Sequence, residues 1–177
     1  QHEAAARRVL GKLEIDPARL ELIRVRTNRG WTRDFGPFFV RHVKRAESAI
    51  LDYRFNGWAK YDDWKLDDAV PGQMAKRFQH RLFQVTHGKR TVVLEGGGLD
   101  VNGHGSLLTT EECFLDQEVQ CRNPGLTRAD MDKVFADYLG AGNVLWFGKG
   151  IAGDDTHGHV DDLARFVNPS TIVLVQE

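Results

Sequence analysis

The order of its secondary-structure patterns constrains the fold of this chain more than any other feature of the sequence. Apolar segments at residues 37–40 and 48–51 predict a pair of strands, because short apolar runs between polar and turn residues are typical of strands. A helical pattern over residues 69–82 then leads into a predicted strand at 91–94. The first half of the chain is therefore predicted to contain two strands, a helix and a further strand.

A similar order returns in the second half. Asn102-Gly103 predicts a hairpin, because this dipeptide tolerates the positive φ angles of a tight turn. Thr127 and Gly140 can cap the two ends of a helix that lies between them. Strand pairs with an intervening helix thus recur about three times, although no residue-level repeat is visible, and the predicted class is mixed α/β. The helix, the next strand and the closing strand pair are predicted at 129–139, 143–147, and 163–167 with 172–175.

Both ends of the sequence resemble the interior of a fold. Apolar positions from Ala5 to Leu13 fit one helical face, and residues 20–25 predict a strand. No Gly/Ser-rich linker divides the chain, so residues 1–177 are expected to form a single domain. Because the sequence begins in a helical pattern and stops on a strand-like segment, we expect this domain to be truncated at both ends.

Composition excludes several classes of function. Lys and Arg number 24 against 25 for Asp and Glu, so no net field would attract nucleic acid or an anionic membrane surface. Cys113 and Cys121 are too few for a disulfide framework, which favours a reducing cytoplasm. No apolar run approaches the roughly 18 residues that a membrane span needs, and we expect a soluble protein.

The densest polar cluster is the segment 153–162, which holds four carboxylates and two imidazoles between two predicted strands. Neighbouring like charges oppose each other's ionisation, so such a segment favours a cation, either a metal or a substrate. The alternative is a solvated acidic turn, since exposed Asp-rich turns are common.

A metal site is one interpretation of this cluster. His157, His159 and Asp161 form an H-x-H-x-D pattern that resembles the metal-binding motif of metallo-β-lactamase-type hydrolases. The pattern stops there, because Asp162 stands where that motif continues with His and no His follows His159. A hydrolytic metal site usually needs about three or four protein ligands. A metal-dependent hydrolase therefore stays an alternative rather than the first hypothesis.

Two further segments bring polar side chains to strand ends. In the segment 31–37, Asp34 precedes an apolar strand and can point into a cleft, although an Arg33–Asp34 turn with Trp31 in the core is equally possible. Glu95 ends the strand at 91–94 and is followed by three glycines, which allow a ligand to approach the backbone closely.

Taken in order, five motifs are similar to those of agmatine deiminases and bacterial peptidyl-arginine deiminases. This resemblance implies a pentein fold, an α/β propeller of five ββαβ-type modules around a pseudo-fivefold axis. The present chain would be an incomplete arc of about three modules. The motifs are WTRDFGP (31–37), FNGW (55–58), LEGGGLDVNGHGSLLTTEECFL (94–115), RNP (122–124) and GDDTHGHVDDLARFV (153–167).

The resemblance also implies roles for individual residues. Asp34 and Asp161 would grip a guanidinium, and His159 would act as general acid and base. A cysteine thiolate would attack the guanidinium carbon to give a covalent thiouronium intermediate, with neither metal nor cofactor. The products would be a ureido compound and ammonia, as in the conversion of agmatine to N-carbamoylputrescine. Further substrate-binding groups would be Glu95, Asp155 and Trp31.

Neither cysteine is a good candidate for the nucleophile. Cys113 follows Glu111 and Glu112, whose charges raise the pKa of a thiol, and Cys121 lies in a loop-like stretch. We therefore expect the nucleophile of such an enzyme outside these 177 residues. A non-catalytic guanidinium-binding scaffold is the alternative from a different class.

Agmatine is the favoured substrate, with an arginine-containing peptide as the alternative. Trp58, Tyr61 and Trp64 could enclose an aliphatic stem. The aspartates at 62, 63, 67 and 68 could favour a distal ammonium group, unless they are simply solvated. Beyond this small guanidino partner, neither nucleic acid nor membrane is expected, and a homodimer is left open.

Overall fold

The computed structural model describes residues 3–13 and 15–176, so Gln1, His2, Glu14 and Glu177 of the expected domain lie outside it. Helix α1 spans Glu3–Leu10, which confirms the predicted helix but ends it three residues early. The strand predicted at 20–25 is wrong. These residues pair with no strand among residues 3–13 and 15–176; Ile23 and Val25 instead pack against the core near Phe35.

The first unit has the order strand, strand, helix, strand. After the short helix α2, strands β1 and β2 form an antiparallel pair, and β3 pairs parallel to β2 after helices α3 and α4. Pro71 lies in the first turn of α4, where its missing N–H is not needed. The bounds are Thr32–Phe35 (α2), Phe38–Arg41 (β1), Ser48–Asp52 (β2), Lys65–Asp68 (α3), Val70–Phe78 (α4) and Arg81–Gln84 (β3).

A small hairpin links the two units and delivers Glu95. Strands β4 (Thr86–His87) and β5 (Arg90–Thr91) form it, and Val93 then makes an isolated parallel bridge to Arg54. Only the start of the strand predicted at 91–94 lies in a sheet ladder, but its remaining residues are buried and extended. They lead directly into the 3₁₀ turn Gly96–Gly98.

The second unit repeats the order of the first. Strands β6 and β7 form the hairpin predicted at Asn102-Gly103, and β8 pairs parallel to β7 after helices α5 and α6. Thr127 and Asp130 make the expected capping box at the start of α6, and Gly140 ends it with a φ of 67°. The bounds are Asp100–Val101 (β6), Ser106–Thr110 (β7), Glu111–Leu115 (α5), Arg128–Leu139 (α6) and Asn143–Phe147 (β8).

The last two strands open a third unit. Strands β9 (Ala164–Asn168) and β10 (Thr171–Leu174) are antiparallel, as the first two strands of each complete unit are. The described residues therefore comprise two ββαβ units and the first hairpin of another, which matches the expected arc of about three modules. No sheet within them closes into a barrel.

Three clusters of buried side chains hold these units together. Helix α6 packs Met131, Val134 and Phe135 against the sheet of the second unit. A separate cluster around Phe35, Phe55 and Trp58 belongs to the first unit, and a small one joins β7 to the last hairpin. Among residues 3–13 and 15–176, no helix has both the length and the apolar character that a bilayer crossing demands.

Candidate active site

A cavity of about 410 Å³ lies where the two units and the last hairpin meet. Its floor comes from the segment that precedes β1 and from the loop that precedes β9. Three of the six predicted site residues form its inner end, two lie nearer its mouth, and Glu95 is buried behind it. The lining residues are Arg29, Trp31, Arg33, Asp34, Trp58, Tyr61, Asp154, Asp155, Thr156, His159, Asp161 and Asp162.

Asp34 is a buried carboxylate with two neutral donors. Its Oδ1 accepts a hydrogen bond from the Gly97 amide at 3.1 Å, and its Oδ2 accepts one from Trp58 Nε1 at 3.2 Å. Burial raises the pKa of Asp34 to about 6, although nearby His159 opposes the shift. The fold therefore places a poorly solvated acceptor at the inner end of the cavity, where a cation would stabilise its charge.

His159 stands among three carboxylates. Its Nδ1 lies 3.8 Å from Asp34 Oδ1 and 3.9 Å from Asp161 Oδ1, and its Nε2 lies 3.9 Å from Glu95 Oε2. Burial alone would lower the pKa of His159, but the charges of Glu95 and Asp34 outweigh it and raise that pKa. Nε2 is buried and makes no hydrogen bond within the described part of the chain. These groups can accept, hold and return a proton.

Glu95 forms a fully buried ion pair with Arg122. Arg122 Nε donates to Glu95 Oε1 at 3.1 Å, and neither side chain has exposed surface. Burial would raise the pKa of Glu95, but Arg122 and then His159 hold it below its ordinary value. Arg122 could not be recognised as a functional residue from the sequence, since the motif RNP carries no spacing that specifies a chemistry. Its position within a shared motif was the only available signal.

Gly97 joins the two carboxylate-bearing segments through its own backbone N–H and carbonyl. Its N–H donates to Asp34, and its carbonyl accepts from the Asp161 backbone N–H at 3.2 Å. A Cβ atom at this position would lie 2.4 Å from His159 Nδ1 and 2.8 Å from Asp34 Oδ1. The glycines after Glu95 were expected to admit a ligand; at Gly97 the close approach comes from the protein's own site residues.

The aspartates of segment 153–162 make different contacts and therefore have different roles. Asp154 accepts hydrogen bonds from the backbone N–H groups of Thr156, Gly158 and His159, so it shapes the loop from within. Asp155 is exposed at the cavity mouth and is paired with Lys60 and with the hydroxyl of Tyr61. Asp161 is partly buried and faces the cavity. The segment is therefore more than a solvated acidic turn.

His157 points away from this cavity. It adopts a left-handed φ of 64°, and its Nε2 lies 2.8 Å from Asp116 Oδ2. Because His157 and His159 are held by different carboxylates, the pattern of His157, His159 and Asp161 does not form one ligand set. This geometry argues against the metallo-hydrolase alternative.

A different group has ligand atoms within 4.8 Å of one another, namely Glu95, Cys113 and His159. The Arg122 guanidinium already neutralises Glu95 there, and a second cation beside it would be opposed by like charge. We therefore assign no metal to this group.

Neither cysteine among the described residues reaches the cavity. Cys113 is buried with its Sγ 3.9 Å from Glu95 Oε2, and burial raises its pKa well above the ordinary value for a thiol. Cys121 points its Sγ to Gln117 Oε1. Both positions agree with a structural role, as the sequence predicted.

Aromatic side chains form the walls of the cavity mouth. Trp31 is 64 % exposed there, and Trp58 and Tyr61 lie on the opposite segment. The guanidinium of Arg29 stacks on the Tyr61 ring with its carbon 4.7 Å from the ring centre. The predicted aromatic enclosure is thus present at Trp58 and Tyr61.

The predicted acidic entrance at residues 62–68 is wrong. Asp67 is buried and accepts the backbone N–H groups of Asn28 and Arg29, because its short helix turns it inward. Asp68 and Trp64 both contact Arg54 rather than the cavity. Asp63 pairs with Arg29, and Asp62 does not line the cavity. The acidic groups at the mouth come from the 154–162 loop instead.

Two ββαβ units with an opening third hairpin, and a buried Asp, His and Glu cluster at their junction, define a guanidine-deiminase type of pentein protein. Residues 1–177 match the model of the Porphyromonas-type peptidyl-arginine deiminase family, and the chain belongs to that family.

Individual relatives carry agmatine in their names. The chain is 34% identical over 168 residues to an agmatine deiminase of Pseudomonas syringae pv. syringae. The matched region covers 92% of this chain and 44% of the relative. The solved agmatine deiminase of Enterococcus faecalis has 35% identity and a TM-score of 0.76, over 86% of this chain and 41% of that one. A Cys-to-Ser variant of the C. jejuni enzyme, solved with substrate bound, has 31% identity and a TM-score of 0.78, over 96% and 47%. The chain thus spans less than half the length of these relatives.

Proposed function

We propose that this chain supplies the guanidinium-binding and proton-transfer groups of an enzyme that hydrolyses agmatine to N-carbamoylputrescine and ammonia. The observation that carries this proposal is the convergence of Asp34, His159 and Asp161 on one cavity, with Glu95 behind the imidazole. The named relatives support the same reaction, because those cited above are agmatine deiminases.

Binding would depend on the two aspartates. A guanidinium is planar and presents a fork of N–H donors, so carboxylates on either side can accept charge-assisted hydrogen bonds and orient its central carbon. Asp34 is the better buried of the two and gains most from a cation, while Asp161 is partly solvated. Both sit within 3.9 Å of His159 Nδ1, so the held guanidinium would lie beside the imidazole.

The chemistry needs a thiolate in addition to these groups. Its sulfur forms a bond to the guanidinium carbon, His159 gives its proton to the departing nitrogen, and ammonia leaves with the C–N bonding pair. A water molecule then loses a proton to His159 and attacks the same carbon, and the C–S bond breaks to release the ureido product. Because Cys113 and Cys121 lie away from the cavity, we expect the thiolate from outside residues 1–177.

Deimination of arginine within a peptide is the second candidate function. The mixed charge at the cavity mouth is the observation that favours it. Arg29 and Arg33 line the mouth together with the aspartates of the 154–162 loop. A mouth of mixed charge gives less preference for the distal ammonium of agmatine than the acidic entrance expected from the sequence. The reaction at the guanidinium carbon would be the same for both substrates.

A competition assay would test the proposal. Ammonia or ureido product would be measured with the whole protein, agmatine and a blocked arginine peptide, since specificity is the ratio of the two kcat/KM values. We expect agmatine to be preferred and His159→Gln to abolish turnover, while Lys133→Gln on the far surface serves as the control. Preference for the peptide would select the second candidate, and binding of both guanidines without turnover would select the non-catalytic scaffold.

Two statements about the whole protein stay predictions. A thiolate nucleophile must remain reduced, which is the reason to expect a cytoplasmic enzyme. Pairing of two copies into a homodimer can be tested by sedimentation.

A further inference from the structure

We propose that Arg122 is a positioning residue that keeps Glu95 as a carboxylate, so that Glu95 and His159 together hold one exchangeable proton. Arg122 does not line the cavity and touches no substrate position, so it would act through Glu95. Its use in catalysis rests on the deimination proposed above. The titration of the Glu95 and His159 pair can be tested without any substrate.

The contacts of Arg122 fix the direction of Glu95. Nε donates to Glu95 Oε1 at 3.1 Å, Nη1 donates to the Gln120 carbonyl at 3.2 Å, and Nη2 donates to the Thr156 carbonyl. These bonds tie the carboxylate to the loop that carries His159. The second oxygen of Glu95 is thereby left facing His159 Nε2 at 3.9 Å, and this nitrogen has no hydrogen bond of its own among the described residues.

Arg122 is the cation that balances this buried group of acids. Unlike Arg122, Arg29 and Arg33 line the cavity, but Arg29 is hydrogen-bonded to Asp63 and Arg33 lies on the exposed side of the cavity. The other titratable side chains around Glu95, His159 and Arg122 are acidic or neutral. They are Asp34, Cys113, Asp154, Asp161 and Asp162.

Removing the charge of Arg122 should make the pair hold its proton to higher pH. Burial would by itself raise the pKa of Glu95, and Arg122 is the largest influence that lowers it. Arg122 also opposes the protonation of His159. Both effects favour release of the proton, and a neighbouring charge typically shifts a pKa by about 1–3 units. Because the two groups interact, the quantity that moves is the apparent pKa of the pair.

The test is an NMR titration of the His159 ring in the whole protein, with the signal assigned from its loss in His159→Asn. In Arg122→Met the apparent pKa should rise by about one unit or more. Arg122→Lys keeps the charge and loses the fork of donors, so it should restore most of that shift. Arg54→Met is the matched control. It removes an arginine whose Nε lies 3.1 Å from Asp68 Oδ2 and which does not line the cavity, so it should leave the titration of His159 unchanged.

A second pair of variants keeps the proposal testable if Arg122→Met does not fold. In Glu95→Gln, Arg122 is unopposed and the pKa of His159 should fall. The double variant Glu95→Gln with Arg122→Met has neither charge of the buried ion pair, so the pKa of His159 should rise again. It should also fold more readily than the single Arg122 variant, because it leaves no unpaired buried charge from this ion pair. An unchanged titration in Arg122→Met, no rescue by lysine, or a double variant that titrates like Glu95→Gln would overturn the proposal. Shifted titrations without any deimination would overturn the proposed function alone.

Discussion

Asp34 and Asp161 face the same cavity but differ in how strongly the protein buries them. Asp34 is 5% exposed and its pKa is raised to about 6 by burial, whereas the side chain of Asp161 is 22% exposed. The two carboxylates should therefore respond differently to substitution. Asp34 should affect stability as well as binding, and Asp161 should affect mainly binding.

We expect Asp161→Asn to lower kcat/KM for agmatine by about 10- to 100-fold or more, because a lost charge-assisted hydrogen bond costs about 1.5–3 kcal/mol and the amide presents a donor to a donor. Steady-state kinetics of the whole protein would measure this loss. Asp137→Asn, on the exposed face of α6, is the control and should have no effect. An unchanged kcat/KM in Asp161→Asn would remove this residue from the site.

The raised pKa of Asp34 predicts a specific pH dependence of stability. The folded protein holds this proton to about pH 6, while an unfolded aspartate releases it near about pH 3.9. The stabilisation is therefore complete below about pH 4 and is lost as the pH rises through 6. Asp34→Asn lacks this titration. Its unfolding free energy minus that of the wild type should therefore be higher at pH 7 than at pH 4 by on the order of 2 kcal/mol. Urea unfolding of both proteins at pH 4 and pH 7 measures this change. The same difference in unfolding free energy at the two pH values would contradict the prediction.

At this scale the sequence indicated which side chains belong together better than how they are supported. Asp34, His159 and Asp161 were expected at one site through the shared motifs, and they line one cavity. Their catalytic roles stay predictions. The contribution of Arg122 could not be predicted, because its partners are 27 and 34 residues away and depend on the packing of two loops.

The elements that carry the site are short, and their ends are defined by local hydrogen bonds. Helix α5 is capped by Thr110, whose hydroxyl accepts from the Cys113 backbone N–H and donates to the Gly158 carbonyl. One side chain thus caps a helix and holds the loop that carries His159. Glu112 and Asp116 hold the same loop at Gly150 and His157.

Helix α6 offers the clearest test of a local signal. Thr127→Ala removes the hydroxyl that accepts the Asp130 backbone N–H and leaves only the backbone side of the capping box, so it should destabilise the protein by about 0.5–2 kcal/mol. Chemical denaturation would measure this change, with Ser170→Ala in the β9–β10 turn as the control. Because no residue of α6 lines the cavity, kcat/KM should stay the same. If Thr127→Ala lowered kcat/KM without lowering the stability, the conclusion that α6 contributes to stability and not to the site would be wrong.

Local patterns predicted the elements that have their own start and stop signals, and failed where long-range pairing decides. The hairpin at Asn102-Gly103 and helix α6 were predicted because glycines and a capping threonine specify them. Residues 20–25 have a strand-like composition, but within the described part of the chain no strand pairs with them. At 62–68 the residue types were acidic, yet helix direction turned Asp67 into the core.

At the scale of the whole molecule, the site depends on both complete units and on the loop before the β9–β10 hairpin. Asp34 comes from the first unit, Glu95 from the connection to the second, and His159 from the segment that follows β8. Deletion of any one of these segments would separate the groups of the site. The fold class was predictable because the order of strands and helices recurs, whereas the meeting of these three loops required the motif resemblance.

We expect residues 1–177 expressed alone to release no ammonia from agmatine. The reason is geometric, since neither Cys113 nor Cys121 lines the cavity, and burial raises the pKa of the Cys113 thiol. A coupled ammonia assay would measure the activity, and binding of agmatine by calorimetry would show that the site itself has formed. Turnover that disappears in Cys113→Ser would contradict this expectation and assign the nucleophile to this chain.

The backbone of a single residue, Gly97, links the two aspartates and restricts how much they can move relative to each other. Its N–H holds Asp34, and its carbonyl holds the backbone of Asp161. A ligand that binds either carboxylate therefore acts on the backbone of the same residue. The rate at which the Gly97 amide exchanges with deuterated solvent would accordingly report how rigid the clamp is, and tighter binding of a flat cation should slow that exchange.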